Sequence, residues 1–389
     1  MKKITFTNVM ILVITLVSTL PLKAELSAFQ QYQNNPTLDN VGIAFAAAIN
    51  ARNDQQLNQL MNYDKLFDRT FDIVGNPKAF KNFRVGFQNG ASSRMFASWY
   101  HNMDQFNGKA MFRQVVNIEG ELRPFILIDI KDAGFIFVEL IVDEKSHRII
   151  DMFIHSNGEL ISQTFAEMVS LIKPESSNYF KQLLGVREAN TQFVAVIKEV
   201  AQFQRNGNYE AAYKRLKQLK GPLGEARVIS MMRLNIAGLW SDYFYYQELE
   251  RINKLHGDNP KVFFTLLDYL FQQKQYGKVN ERLTKLYHRL GEDPYIGSLI
   301  AFNLARLGKD TEALTMIEKL INAEPNNESY YWIKFEALVS AKAYTQAIAV
   351  VDQIAEKFAM TFDEETLALD DFYQDFIASP EFKQWQSQQ

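Results

Sequence analysis

The chain has 389 residues, enough for two ordinary domains and too many for one comfortable core. Apolar residues make up 47% and charged residues 22%, the composition of a folded protein rather than a disordered one. Net charge is −3, and −6 without the first 24 residues, which argues against nucleic acid or an anionic membrane surface as the main partner. The absence of cysteine excludes disulfides, thiolate metal sites, a cysteine nucleophile and lipid attachment through cysteine. Histidines 101, 147, 155, 256 and 288 never fall three or four apart, so no histidine metal motif appears and no cofactor is expected.

Residues 1–24 carry Lys2-Lys3, an apolar stretch from Val9 to Leu20 and the sequence Pro21-Leu22-Lys23-Ala24. A basic start, about a dozen apolar residues and a small residue at the end predict an export signal cut after Ala24, too short to span a bilayer. The expected location is the periplasm of a Gram-negative bacterium, or secretion beyond the cell, with no transmembrane segment once the signal is removed.

Residues 25–173 are expected to form a first domain. From Asp39 to Met61 the pattern is helical, with a break at Asn53-Asp54, and a second helix-rich stretch runs from about Pro77 to His101. After Gly108 the period changes to two. Met111–Ile118, Leu122–Ile130, Phe135–Val142 and Arg148–His155 predict four strands, with turns at Glu119-Gly120, Lys131–Gly134 and Asp143–Ser146. Short connections make neighbours antiparallel, and helices followed by such a meander predict an α+β layer. This order, with Phe137–Val142 and Ile150–Phe153, resembles the nuclear-transport-factor-2-like (cystatin-like) α+β roll over Leu38 to Leu160. The resemblance implies a curved antiparallel sheet wrapped on a helix. It implies no single function, because that fold serves enzymes, dimerisation modules and binding domains.

Strand alternation sets Glu139 beside Phe135 and Phe137, and Asp151 and His155 on one face of the next strand. If the faces coincide, Glu139, Asp151 and His155 form an acid–base group on an apolar surface, the germ of a small-molecule pocket. The competing expectation is that these acids pair with Arg113, Arg123 or Arg148, or face solvent.

Pro174 to Asn178 breaks both periodicities and marks a linker, taken as 174–192. Beyond it the chain repeats. Tyr209, Asp242, Tyr276, Asp310 and Tyr344 are equivalent positions spaced by 33, 34, 34 and 34 residues. Six positions before them, and seven and ten after, every residue is a large aliphatic or aromatic, while three of the five at +3 are alanine. Offsets of 0, +3, +7 and +10 mark one stripe of a helix, and the upstream position belongs to a preceding helix. Each unit is then a helical hairpin that must stack on its neighbours to bury its apolar face.

With Ala301, Gly308, Ala313, Ile317, Leu320 and Pro325 in the fourth unit, the segment resembles a tetratricopeptide repeat array. The expected units are 193–225, 226–259, 260–293, 294–327 and 328–361. A helical cap follows at 362–389, covered by Phe372, Phe376, Phe382 and Trp385. The second unit departs from the pattern, with Arg233 and Tyr245 where small residues are usual.

The resemblance implies that the first helix of each unit lines a concave groove. Phe264, Ser298 and Trp332 then form one row and Asp268, Phe302 and Glu336 the next, with Phe271, Gln272, Tyr295 and Arg306 beside them. Aromatics with a few charges suit a polypeptide, and the cluster that clamps a terminal carboxylate is lacking. The expectation is an exported, non-enzymatic adaptor: an α+β domain followed by an all-α tetratricopeptide (TPR) solenoid of about five hairpins, binding a protein or peptide of the cell envelope or the chain's own front domain. The alternatives are an enzyme built on Glu139, Asp151 and His155, and a spacer that forms a homodimer through its front domain.

Overall fold

The computed structural model describes residues 22–75, 84–130, 134–172, 190–360, 367–368 and 370–388. Residues 1–21 of the expected signal, 174–189 of the expected linker, Lys131–Ala133 of the second turn, 77–83 of the second helical stretch, and 362–366, 369 and 389 of the expected cap lie outside the described residues.

Among the described residues six helices come first: α1 Leu22–Asn34, α2 Leu38–Asn50, α3 Asp54–Leu60, α4 Tyr63–Val74, α5 Arg84–Arg94 and α6 Ala97–Gln105. Three successive starts use side-chain caps that accept a backbone N–H: Thr37 from Asn40, Asn53 from Gln56 and Asn62 from Lys65. The break at Asn53-Asp54 is therefore a cap. A five-stranded antiparallel meander follows in the order β1 Lys109–Ile118, β2 Glu121–Asp129, β3 Phe135–Val142, β4 Ile149–Ile154 and β5 Glu159–Leu160. Glu119 and Gly120 both take positive φ, as a tight two-residue hairpin requires. Helix α7, Ile161–Ile172, then folds back against β4 and α4.

One face of the sheet, with Ile126, Ile128, Val138, Leu140, Met152 and Ile154, closes a core with α2, α4 and α7 around Phe45, Phe67 and Phe71. The helix comes so close that a Cβ on Gly42 of α2 would meet the Phe112 ring at 2.3 Å. The other face is covered too. Val116, Ile118, Phe125, Leu127 and Phe137 share a second core with Leu267, Ile296, Leu299, Ile300 and Ile333 from the rear half of the chain. The layers are thus helices, sheet, helices, and neither face of the sheet is left wet.

The rear half is a helical-repeat region. Helices α8 Asn190–Arg205 and α9 Tyr209–Leu216 form the first pair, with α10 Gly221–Glu225 after it. Helices α11 Arg227–Gly238 and α12 Asp242–His256 form the second. The third has a 3-10 turn Pro260–Val262, a short α13 Leu267–Gln272 and α14 Tyr276–Arg289. Pairs α15 Pro294–Arg306 with α16 Asp310–Ala323, and α17 Glu328–Ser340 with α18 Tyr344–Phe358, complete the series. Each of the five equivalent residues is the first residue of a second helix. At +7, Leu216, Leu249, Leu283, Ile317 and Val351 are all buried, and so are Leu219, Ile252, Leu286, Leu320 and Ile354 at +10. Two residues before the second helix, Gly207, Lys274, Gly308 and Lys342 take positive φ. The chain reverses there in a left-handed step, which glycine adopts without strain.

The second unit makes its turn without that step. Its Tyr245 packs on the open side of Gly238, about 3.3 Å from where a Cβ would stand, and donates to Asp268 at 2.9 Å. Its Arg233 is buried beside Glu248, which also receives Arg251 at 2.8 Å and the Tyr213 hydroxyl at 2.9 Å. Burial pushes the Arg233 guanidinium below its ordinary value, only partly offset by Glu248.

The third unit lacks a continuous first helix. Gly158, at φ +65° in the turn after β4, lies so close that a Cβ on it would stand 1.7 Å from the Lys261 carbonyl oxygen. The Thr265 hydroxyl donates to the Ser156 carbonyl at 2.7 Å. The front domain's turn thus occupies the line along which this helix would run.

At the end of the chain, a 3-10 turn Asp371–Tyr373 leads into α19 Gln374–Ala378 and α20 Pro380–Gln386. Phe376 and Phe382 bury fully against the last pair, with Trp385 and Phe372 beside them. Among the described residues no helix is long and apolar enough to cross a membrane.

Candidate functional site

Two other segments of the same chain rest on residues that the repeat pattern was expected to set along an inner wall. Phe264 is half-buried and meets Phe135 at 6.4 Å and Phe137 at 5.7 Å between ring centroids, both edge-on. Tyr295 meets the same two rings at 5.3 and 5.9 Å. Edge-to-face contacts at these separations are favourable beyond the area they bury. Burial holds the Tyr295 hydroxyl well above its ordinary pKa. Asp268 accepts from Tyr245, and Phe271 stacks on Phe302 at 5.6 Å, so both bind one unit to the next.

Further along the wall the C-terminal segment takes over. The Arg306 guanidinium carbon lies 5.3 Å from the Phe302 ring centroid and 3.9 Å from that of Phe372, with Asp370 and Glu336 each 3.4 Å from Nη2. Tyr373 donates to Glu336 at 2.6 Å. Burial pushes the Glu336 carboxyl above its usual range, against the pull of Arg306 and of that hydrogen bond. Trp332 is buried and donates its indole N–H to Glu328 at 3.2 Å. Ser298 donates to the Tyr295 carbonyl within its own helix.

Polar ties hold the sheet to the wall. Arg113 donates to Asp293 at 2.8 Å and approaches Glu324 at 3.4 Å, and Gln114 donates to the Leu290 carbonyl at 2.7 Å. Arg227, at the start of α11, is held by Glu159, by Glu167 at 3.0 Å and by the Asn157 carbonyl at 3.0 Å. The sequence suggests Arg113 only as a partner for the sheet's own acids, and Arg227 has no sequence signal. Both neutralise buried carboxylates across the seam, a pairing that no local pattern encodes.

Of the three acid–base candidates, the fold brings two together. His155 Nε2 lies 2.9 Å from Glu139 Oε1, and Arg123 donates to Oε2 at 2.8 Å. Burial would raise the Glu139 carboxyl. The hydrogen bond and charge of His155, the hydrogen bond from Arg123 and the charge of Arg289 more than offset this and hold it below the usual range. Phe125, Phe137, Phe153 and Phe264 surround the imidazole edge-on. Asp151 belongs to another network: it takes Arg69 at 2.9 Å, the Ser162 hydroxyl at 2.5 Å and the backbone N–H of Met152 and Ser162. Arg148 spends its donors on the carbonyls of Asn58, Gln59 and Met61. Among the described residues no group of three or more His, Asp or Glu is placed to hold a metal ion.

Neither a family model nor a curated protein matches the chain. Among solved structures, one described as MamA AMB-1 superposes with a TM-score of 0.33 at 16% identity, covering 45% of this chain and 96% of that one. A likeness at that score leaves the reading of the site to the residues themselves.

Proposed function

We propose that this chain is an exported protein-binding adaptor, a tetratricopeptide-type array behind a nuclear-transport-factor-2-like domain, and that the inner wall of the array is its polypeptide-recognition surface. One observation carries the reading. Two separate stretches of polypeptide, the aromatic face of the sheet and Asp370–Tyr373, rest on that wall through the residues a groove would use: Phe264, Tyr295, Phe302 and Arg306. A wall that accepts the chain's own segments through rigid aromatics and directional charges has the chemistry to accept those of another protein. A partner segment then competes with segments held in place, so binding is by displacement.

Glu139 and His155 are structural in this reading, because Phe264 and three other rings shield their pair. Asp151 ties β4 to α4 and α7.

Photo-crosslinking in living cells, with the reactive group in place of Trp332, tests the reading. Adducts with a second envelope polypeptide are expected, and adducts confined to this chain would overturn it. Fusing residues 1–24 to a reporter that is active only after export tests the location, and a silent fusion would remove that part.

A further inference from the structure

Arg306 stands in the last turn of α15 with 9% of its side chain exposed, yet its ion pairs are loose. Both terminal nitrogens reach the same Asp370 oxygen at 3.4 Å, and Glu336 also stands at 3.4 Å. Arg306 Nε and Glu336 Oε2 are buried without a hydrogen-bond partner. A guanidinium normally meets a carboxylate with two parallel bonds below 3 Å, so most of the directional capacity here is unused. Its flat faces, in contrast, are occupied by the Phe302 and Phe372 rings. The occupying segment, Asp370-Asp371-Phe372-Tyr373, is acidic and aromatic, and Asp370 and Phe372 are only partly buried. The fully buried anchors of the cap, Phe376 and Phe382, lie further along the chain.

We infer that the Arg306 station, with Phe302 and Glu336, is a recognition site for an acidic–aromatic segment of a partner protein, and that Asp370–Tyr373 is its built-in competitor. The inference rests on the adaptor reading and names the chemistry of its ligand: a side-chain carboxylate for the guanidinium edge, an aromatic ring for its face, and a hydroxyl or amide donor for Glu336. An internal stretch satisfies this, so no terminal carboxylate is needed.

The probe is a fluorescent octapeptide, Ala-Leu-Asp-Asp-Phe-Tyr-Gln-Asp, with both ends blocked. Its affinity is measured for the full-length chain, for the double variant Asp370→Ala with Phe372→Ala, and for that variant carrying Arg306→Gln as well. The double variant keeps Tyr373, Phe376 and Phe382, and should bind the peptide at least tenfold more tightly than the unaltered chain. Arg306→Gln should return binding to the starting level. A folded double variant, shown by an unchanged thermal melt, that gains no affinity would overturn the inference. If the double variant does not fold, Phe372→Ala alone is held to the same criterion. Captured partners at Trp332 with no gain in peptide affinity defeat only the Arg306 assignment. A gain in affinity where crosslinking captures nothing supports that assignment and defeats the wider reading.

Discussion

Asp293 uses its two carboxylate oxygens for two different tasks: Oδ1 caps α15, accepting from Tyr295 at 3.0 Å, and Oδ2 takes Arg113 of the first strand at 2.8 Å. The residue that caps the first helix of the fourth unit is therefore also one that ties the sheet to it, and it is 99% buried. Replacing it with asparagine preserves the cap and removes the charge. Replacing it with alanine removes both and leaves Arg113, which is 16% exposed, only the longer contact to Glu324. Breaking a buried pair from one side costs about 3–5 kcal/mol, and a lost cap about 1 kcal/mol. Urea denaturation should rank Asp293→Ala as clearly worse than Asp293→Asn, and equal losses would show that the cap contributes nothing.

Gly158 admits no side chain. At φ +65° and with the Lys261 carbonyl in the way, Gly158→Ala forces the β4–β5 turn off the third unit. Backbone strain and overpacking each cost about 1–3 kcal/mol, so a loss of roughly 2–6 kcal/mol is expected. Hydrogen exchange should accelerate around Leu266 and Leu267 before it does in the last two units. A variant as stable as the parent would mean that the close approach is not needed.

The acid limb of the stability curve should depend on Glu139. Its carboxyl titrates lower in the folded chain than in the unfolded one, so it contributes stability above the unfolded value of about 4.3, lost as pH falls through the folded value. Glu139→Gln removes this contribution. Stability measured from pH 6 downward should fall less steeply below about pH 4.3 in that variant than in the parent, and parallel curves would rule the pair out as an acid-labile tie.

Arg233 and Glu248 should respond unequally to replacement. Glu248 keeps Arg251 and Tyr213 when Arg233 is replaced, so Arg233→Leu is expected to shift stability by no more than about 1 kcal/mol, in either direction. Glu248→Leu leaves the buried Arg233 without its carboxylate and should cost about 3 kcal/mol or more. Thermal melts of the two variants decide it, and the reverse ranking would refute the account.

The repeat half was legible because a helical hairpin repeats its own requirements. The small or apolar residue at +3 and the aliphatics at +7 and +10 recur where one helix packs on the next, so Tyr209 to Tyr344 mark five helix starts without any tertiary information. The four longer strands and the break at Asn53-Asp54 were local signals of the same kind. What escaped was set by contacts across the chain. Strand β5 has only Glu159 and Leu160, too short to show a period. Helix α4 is amphipathic, with Leu66, Phe67, Phe71 and Val74 inward, and that spacing could have been read. The apolar run Phe125–Ile128, and the run Phe135–Val142 interrupted only by Glu139, carried a sharper clue, since a strand with one wet face alternates. Their continuity anticipates the second layer that covers Phe125, Leu127 and Phe137. The interrupted first helix of the third unit lies against Gly158, about a hundred residues away, and no window around Lys261 contains it.

The doubly covered sheet also sets an order of events during synthesis. Phe125, Leu127 and Phe137 leave the ribosome long before Leu299, Ile300 and Ile333, the side chains that shield them. At roughly 5–20 residues per second the wait is on the order of ten seconds or longer. Over that interval the nascent chain displays a sticky apolar plane, and a holding chaperone has a defined stretch to grip. A product truncated ahead of the helical pairs would keep that plane bare and should aggregate.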